Sequence, residues 1–383
     1  MTNNMRISLS LLPLFLITAT VSAADSKPPN IVLIISDDQS YTDYGFMGHP
    51  SIETPHLDKL AKESVLFRRG YVPTALCRPS LMTLATGLYS HQNKTTGNDP
   101  ANTPANEAHA EQAGEHVREL LISHIDRTGA LAGWLAERGY VSHQSGKWWE
   151  GPYQRGGFTE GMTRGFPKPG GRHGDDGLRI GREGMEPVID FIDRSVADEK
   201  PFFVWYAPFL PHTPHNPPAR LFEKYQAKGV PDRIAKYYAM CEWFDETCGA
   251  LVKHIDESGI AENTLVINGW IQTEPGGYGP RSKRSPYEGG TRTPIMFRWP
   301  GVIPAADRPE LCSSIDIVPT ILAAAGAEGP HDFPGLNLLP QLKSGEAIGR
   351  ETLFGESFAH DIADIENPQA SLLYRCLLYT SPS

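Results

Sequence analysis

The chain alternates between short runs of apolar, often β-branched residues and longer segments in which apolar residues recur every three or four positions. Residues 30–35 form a continuous apolar run, which is typical of a strand buried on both faces. Shorter runs of this kind cover 65–67, 140–144, 202–206, 265–267 and 295–299. Helical spacing is strongest over 232–259 and recurs over 54–61, 131–135 and 314–325. The alternation predicts an α/β fold with a mostly parallel, doubly wound sheet flanked by helices.

Two long segments break this alternation. Residues 93–116 are polar, and residues 151–184 are rich in glycine and carry several charged side chains and a histidine, including Arg155, Arg164, Arg172, His173, Asp175 and Asp176. Both are interpreted as surface loops that shape a substrate mouth. The run at 265–267 predicts a strand of only three residues, shorter than the usual five or six.

The first 24 residues have the pattern of a signal peptide. Arg6 precedes an apolar run over 7–21, and Val21-Ser22-Ala23 suits cleavage by signal peptidase. The alternative is a transmembrane anchor, but Pro13 and several hydroxyl side chains interrupt a run already shorter than about 20 residues. We therefore expect a periplasmic or secreted protein without a stable membrane anchor.

Charge and cysteine usage exclude several classes of partner and site. The net charge is −10 and no basic run is present, which argues against a nucleic-acid partner. An anionic substrate must therefore be bound locally. Five cysteines at irregular spacings match neither a disulfide framework nor a zinc site. Cys241 and Cys248, seven residues apart on one helical face, are interpreted as core residues.

Candidate chemistry lies at strand ends and at one helix start. Cys77 precedes an apolar helical run, where unpaired backbone N–H groups favour an anion, although a buried structural cysteine is the commoner interpretation of the residue alone. Asp37 and Asp38 follow the first strand and suit either a hard cation or a solvated turn. Lys147 lies at another strand end, and His212 stands between prolines.

These residues, taken in order, give the chain a resemblance to the sulfatase family of the alkaline-phosphatase superfamily over about residues 30–326. The residues that carry the resemblance are the opening strand with Asp37-Asp38, Cys77-x-Pro79-Ser80 with Thr86-Gly87, Gly146-Lys147-Trp148, Pro211-His212, Asn268-Gly269, Lys283 with Tyr287-Glu288-Gly289-Gly290, and Ile315-Asp316-x-x-Pro319-Thr320.

The resemblance implies hydrolysis of sulfate esters by a formylglycine made from Cys77. It also implies a divalent cation, with Ca²⁺ favoured over other metals. The implied ligands of this cation are Asp37, Asp38, Cys77 and Asn268. Lys147, His212 and Lys283 would act on the sulfate as catalytic and substrate-binding groups. The implied partners are a sulfated small molecule or polysaccharide and a formylglycine-generating enzyme.

The resemblance also implies a domain plan. Residues 1–24 are expected to be the signal peptide and residues 25–326 the catalytic domain. Residues 327–383 are expected to form a linker and an incomplete, truncated C-terminal subdomain, with no further strand around Cys376.

Three positions depart from the family pattern. Leu81 stands where the signature has arginine, and Trp149 where the family has histidine. Ile267 directly precedes Asn268, so a third aspartate ligand is missing, and Glu274 or a water is the possible replacement. Two alternatives follow: a phosphate or phosphonate ester hydrolase on the same scaffold, and a catalytically inactive module that binds sulfated glycans.

Overall fold

The predicted strand segments become six of the eight strands of one large sheet, and two small sheets form from other parts of the chain. The computed structural model describes residues 27–270, 282–330 and 332–380, and only the backbone of Trp270 and of residues 374–380. The strands are β1 Asn30–Ser36, β2 Val65–Tyr71, β3 Asp99–Pro100, β4 Val141–Gly146, β5 Glu160–Gly161, β6 Phe202–Ala207, β7 Thr264–Trp270, β8 Ile295–Arg298, β9 Ala306–Ser313, β10 Thr352–Phe358, β11 Asp361–Ile362 and β12 Leu372–Thr380.

Helices connect most of these strands, as expected for parallel neighbours. They are α1 Pro55–Lys62, α2 Cys77–Thr86, α3 Ser90–Asn93, α4 Pro104–Ala113, α5 Val117–Ile122, α6 His124–Thr128, α7 Leu131–Ala136, α8 Glu186–Ala197, α9 Ala219–Gln226, α10 Asp232–Glu257, α11 Glu288–Thr291, α12 Ile317–Ala325 and α13 Leu339–Ser344. None of the helices in the described ranges is long and apolar enough to cross a membrane.

The large sheet has eight strands in the order β5-β4-β6-β1-β7-β8-β2-β9. β8 runs antiparallel to both of its neighbours, and the remaining strand pairs are parallel. β1 lies at the centre between β6 and β7. The predicted mostly parallel sheet is confirmed, and its central strand carries the two candidate aspartates at its carboxyl end.

The two faces of the sheet bury separate apolar clusters. In β1, Ile31, Leu33 and Ile35 pack on the face covered by α2, α7 and α12, whereas Val32 and Ile34 pack on the face covered by α1, α8 and α10. All five side chains are fully buried. Alternate residues of one strand therefore enter different cores, which explains why the run lacks polar positions.

Three predictions of local structure are wrong. The segment 93–116 is not one long loop, because Thr103 caps helix α4 through its side chain and Pro104 occupies the first turn. β7 has seven residues rather than three, because its backbone pairs with β1 from Asn30↔Thr264 to Ser36↔Trp270. A strand, β12, does cover residues 372–380 and pairs with β10.

The segment after residue 326 is tied to the rest of the molecule. Leu338, Leu339 and Leu342 belong to the same apolar cluster as β1 and α2. Arg350 forms a bidentate ion pair with the buried Asp316, with Nη2 2.7 Å from Oδ1. The domain boundary at 326 stays a prediction, but these contacts make the segment part of one packed unit.

Candidate active site

A left-handed residue at the end of β1 brings two consecutive carboxylates to one side of the sheet. Successive side chains of a strand point to opposite faces. Asp38 has a φ of 64°, a conformation that aspartate tolerates better than most residues, so the alternation stops there. Asp37 is held by its N–H, which donates to the Leu210 carbonyl at 2.8 Å. Both side chains are about 1% exposed.

Cys77 is the first residue of helix α2 and lies 2% exposed beside the aspartates. The helix begins here because the preceding residue is extended, and Pro79 fits a first turn whose N–H groups lack helical partners. The next N–H, that of Arg78, donates to Asn98 Oδ1 at 3.1 Å. The predicted helix start at Cys77 is confirmed.

Lys147 follows β4 and reaches both Cys77 and Asp37. Its Nζ lies 3.2 Å from Cys77 Sγ and 2.6 Å from Asp37 Oδ2. Gly146 makes this approach possible, since its φ is 83° and a Cβ there would lie 1.8 Å from the Ala207 carbonyl oxygen. The lysine is 1% exposed between a carboxylate and a sulfur atom, so it is not a solvated loop residue.

His212 and Lys283 converge on the other carboxylate. His212 Nε2 lies 3.2 Å and Lys283 Nζ 2.7 Å from Asp38 Oδ2. His212 Nδ1 lies 2.6 Å from the Thr213 carbonyl oxygen. Because a carbonyl can only accept, Nδ1 carries a proton and Nε2 is directed into the site. The Phe209 ring stacks on His212 with 4.2 Å between centroids and fixes its orientation.

The charges of the pocket balance each other. Burial raises the pKa of Asp37, but Lys147, His212 and Lys283 outweigh it, so the pKa lies below its usual range. Burial lowers the pKa of Lys147, but Asp37 and its neighbours keep it above the usual value. Burial lowers the pKa of His212 and raises that of the Cys77 thiol. The unmodified cysteine is therefore a neutral thiol, which is a weak nucleophile.

The arrangement fits a hard cation in its donor set. Ligand atoms of Asp37, Asp38, Cys77 and His212 all lie within 4.8 Å of one another. Oδ1 of Asp37 and Oδ1 of Asp38 accept no hydrogen bond from any described group. Carboxylate oxygens suit Ca²⁺ or Mg²⁺, whereas a thiol does not. The fit is complete only if position 77 supplies an oxygen ligand.

Asn268 lies in β7, with its Cα opposite Ile34, three residues before Asp37. Its side chain is fully buried, and neither Oδ1 nor Nδ2 bonds to another described group. Its role as a metal ligand stays a prediction. Glu274, the possible replacement ligand, lies outside the described residues.

The two departures near Cys77 have different surroundings. Leu81 is 3% exposed and belongs to the apolar cluster under the sheet, so it places no charge in the pocket. Trp149 is also 3% exposed, and the ring of His173 contacts it edge-on at 5.1 Å. Burial, with Lys147 and Arg172 nearby, lowers the pKa of His173 to about 4. The glycine-rich segment therefore brings a neutral histidine towards the pocket.

A buried ion pair beside Cys77 was not predicted. Arg78 Nε and Nη2 donate to the two carboxylate oxygens of Glu150 at 2.8 and 2.6 Å. The two side chains are 0% and 3% exposed. The pair joins the first turn of α2 to the loop that follows Lys147. A charged residue directly after the candidate nucleophile was the available signal.

Comparison with known proteins agrees with this geometry. The family model described as Sulfatase matches residues 29–327. The chain is 30% identical to the N-acetylgalactosamine-6-sulfatase of Canis lupus familiaris, over 87% of this chain and 69% of that protein. It is 29% identical to human arylsulfatase A, over 88% of this chain and 72% of that protein. The phosphonate monoester hydrolase of Agrobacterium radiobacter has the same fold, with a TM-score of 0.63 at 19% identity over 89% of this chain and 82% of that one.

Proposed function

Because the chain belongs to the sulfatase family, whose members hydrolyse sulfuric esters, we propose that it cleaves sulfate esters with a formylglycine at position 77 and a calcium ion held by Asp37 and Asp38. One observation carries the proposal. Two lysines and a histidine surround a buried carboxylate pair and Cys77. Such a site combines cations for an anionic ester with oxygens for a metal.

Bound by the aspartates, the cation would supply Lewis-acid polarisation of the sulfate. Formylglycine in its hydrated form would supply the oxygen nucleophile that a neutral thiol lacks. The remaining steps are assigned to side chains that lie beside the aspartates and Cys77. Lys147 and Lys283 neutralise negative charge on the sulfate oxygens, since both ammonium groups are buried and ionised beside the aspartates.

His212 is the group placed to protonate the leaving oxygen. Its Nδ1–H donates to the Thr213 carbonyl, so the ring can give a proton to the leaving oxygen only after Nε2 has taken up a second proton from solvent, a form that Asp38 Oδ2 at 3.2 Å stabilises. Lys147 contacts the sulfur of Cys77 and is therefore assigned to the nucleophile side of the sulfate. Lys283, bonded to Asp38, is assigned to the oxygens on the other side.

Sulfated sugars or aryl sulfates are the proposed substrates, in line with the names of the two mammalian relatives. Export to the periplasm or medium is part of the proposal and rests on the sequence of residues 1–24, which lie outside the described residues. A formylglycine-generating enzyme is the partner that the chemistry of position 77 requires.

The first test is mass spectrometry of the peptide that contains Cys77, from protein co-expressed with a formylglycine-generating enzyme. We expect the mass of the aldehyde, together with hydrolysis of 4-nitrophenyl sulfate. The Cys77→Ala variant is the control for turnover. A thiol that persists, or phosphate ester hydrolysis by the thiol form, would reject the proposal in favour of a phosphohydrolase. Saccharide binding without hydrolysis of any ester would favour a binding module.

A further inference from the structure

The glycine-rich segment carries an arginine that is stacked beside the pocket. Arg172 Cζ lies 4.7 Å from the centre of the Trp149 ring, which is a cation–π distance. The backbone connects the same segments, because the Trp148 N–H donates to the His173 carbonyl at 3.2 Å. Since Trp149 is two residues from Lys147, Arg172 lies near the proposed sulfate site.

Arg172 is fixed by a carboxylate that it shares with a second arginine. Its Nε lies 2.8 Å from Asp99 Oδ1, and its Nη2 bonds to Asp99 Oδ2. Arg118 Nη2 also lies 2.8 Å from Asp99 Oδ1. Burial raises the pKa of Asp99, but the two arginines outweigh it and keep the group ionised. Two guanidinium groups thus share one negative charge, so the cluster keeps a net positive charge.

The part of Arg172 that faces away from Asp99 is available to a ligand. The side chain is 45% exposed, and its hydrogen bonds to Asp99 use Nε and Nη2, not Nη1. Because Asp99 and the indole already restrict the side chain, little conformational entropy remains to be lost when an anion binds. A guanidinium held in this way binds carboxylate and sulfate oxygens through charge-assisted hydrogen bonds.

A continuous row of rings connects Arg172 to the pocket. The His173 ring lies between Trp149, at 5.1 Å, and Phe209, at 5.7 Å. Phe209 in turn stacks on His212, and Lys147 Nζ lies 5.1 Å from the centre of its ring. Trp149 is buried, whereas His173, Phe209 and His212 are partly exposed and present ring surface on which a sugar can pack. One end of the row lies at the proposed sulfate-binding groups, and the other end lies at the guanidinium of Arg172.

We propose that Arg172, positioned by Asp99 and Trp149, binds a second anionic group of a sulfated saccharide, a uronate carboxylate or another sulfate, while the ester to be cleaved occupies the pocket. This inference rests on the proposed function. It assigns the enzyme to substrates that carry at least two negative charges. The net charge of −10 repels such molecules, so a local cation outside the pocket is needed to hold them.

The test compares a sulfated disaccharide containing a uronate with the methyl ester of the same uronate, using protein matured at position 77. For the wild type, kcat/KM is expected to be higher for the free uronate. Arg172→Gln should lower the ratio of the two kcat/KM values about tenfold or more, the effect of one charge-assisted hydrogen bond. Arg172→Lys keeps the positive charge but loses the paired N–H donors of the guanidinium, so it should lower this ratio less than Arg172→Gln does.

Arg164→Gln is the matched control. Arg164 lies in the same segment, is 55% exposed and pairs with Asp176 rather than with Asp99. Its loss should leave the ratio unchanged. A disaccharide that carries a second sulfate instead of the uronate shows which anion Arg172 binds. The loss of kcat/KM caused by Arg172→Gln should be larger for the disaccharide whose anion contacts Arg172.

A binding measurement separates this inference from the proposed function. Isothermal titration calorimetry of the Cys77→Ala variant with the intact disaccharides needs no turnover. Weaker binding of the charged disaccharide after Arg172→Gln, with little change for the methyl ester, supports the inference even if no ester is cleaved. Equal effects on both ligands, no effect, or no binding of either disaccharide would overturn it. Failure of the matured wild type to release sulfate from 4-nitrophenyl sulfate and from both disaccharides would instead overturn the proposed function.

Discussion

Two buried lysines contact the carboxylates of Asp37 and Asp38, and these contacts set what single substitutions do. The oxygens Oδ1 of both aspartates accept no hydrogen bond within the described structure, which leaves them to a cation. At the same time, Oδ2 of each carboxylate contacts a lysine. In the proposed site, each carboxylate would offer one oxygen to the metal while the other contacts a lysine.

Replacement of Asp37 by asparagine should abolish stabilisation by calcium. At a Ca²⁺ concentration of about 100 times Kd, binding to the folded state raises the free energy of unfolding by about 2.7 kcal/mol. Asp37→Asn removes a charged ligand and leaves Lys147 without its carboxylate. Differential scanning calorimetry with and without Ca²⁺ measures the effect. Asp307→Asn, at an exposed ion pair, is the control, and an equal calcium shift in Asp37→Asn would contradict the assignment.

Asn268→Leu tests the remaining predicted ligand by the same calorimetry. If Asn268 binds the cation, the calcium shift should decrease and Kd for Ca²⁺ should rise about tenfold. The side chain is fully buried with both amide atoms unpaired among the described groups, and a leucine of similar size would remove that unpaired amide. A protein that is more stable by about 1–3 kcal/mol, with an unchanged calcium shift, would show that Asn268 is not a ligand.

Asp245 should make stability depend on pH. Burial raises the pKa of Asp245 to about 7, although its carboxylate accepts the N–H groups of His56 and Leu57 at the start of α1. The folded state then binds more protons than the unfolded state between about pH 4 and 7, so stability falls as the pH rises through that range. The free energy of unfolding of the wild type relative to Asp245→Asn should fall by up to about 4 kcal/mol. A difference that is constant from pH 4 to 8, measured by urea unfolding, would refute this.

At the scale of elements, helix α2 and the loop after β4 meet through the pair Arg78 and Glu150. A buried pair costs desolvation for both charges, and its loss on one side leaves the other charge without a partner. The pair therefore acts as a connection between two elements that both carry active-site residues, Cys77 and Lys147.

Arg78→Met alone should destabilise the protein by about 3–5 kcal/mol, because Glu150 stays buried without its arginine. The double variant Arg78→Met, Glu150→Leu should recover most of this loss, since apolar side chains of similar size can fill the site. Guanidinium unfolding of both variants and of Glu150→Leu gives the coupling free energy. Additive effects of the two single substitutions would show that the charges are not coupled.

At the scale of the whole molecule, the segment after residue 326 belongs to the main core. Leu338, Leu339 and Leu342 pack into the cluster that contains β1 and α2. Ile362 and Ile365 pack on Leu121, and β11 pairs with β3. These contacts predict that the segment and the sheet unfold together.

A chain that ends at residue 327 should not fold. The loss of three buried leucines alone removes about 5 kcal/mol or more, which approaches the total stability of a typical domain. The full chain should unfold in one calorimetric transition, whereas the shortened chain should lack near-UV circular dichroism. A chain ending at residue 380 serves as control. A shortened chain with a native spectrum and a cooperative transition would instead support a separate domain boundary at 326.

The sequence by itself determined the fold class and most of the site. The central strands were predicted from apolar runs, because a strand buried on both faces needs apolar residues throughout. The helix start at Cys77 was predicted from the residues next to it, because helix N-termini select residue types within a few positions. The resemblance to sulfatases rests on short motifs of the same local kind. Asp37, Asp38, Cys77, Lys147, His212 and Lys283 were named from these patterns, and the structure brings them together.

Only the tertiary structure decided how long β7 is and what surrounds the pocket. β7 extends past its apolar run because β1 pairs with it along seven residues, and backbone hydrogen bonds do not depend on side-chain type. The pair of Arg78 with Glu150 and the stacking of Arg172 on Trp149 join residues 72 and 23 positions apart. Such contacts depend on which elements the sheet order places side by side, and no local pattern in the chain records that order.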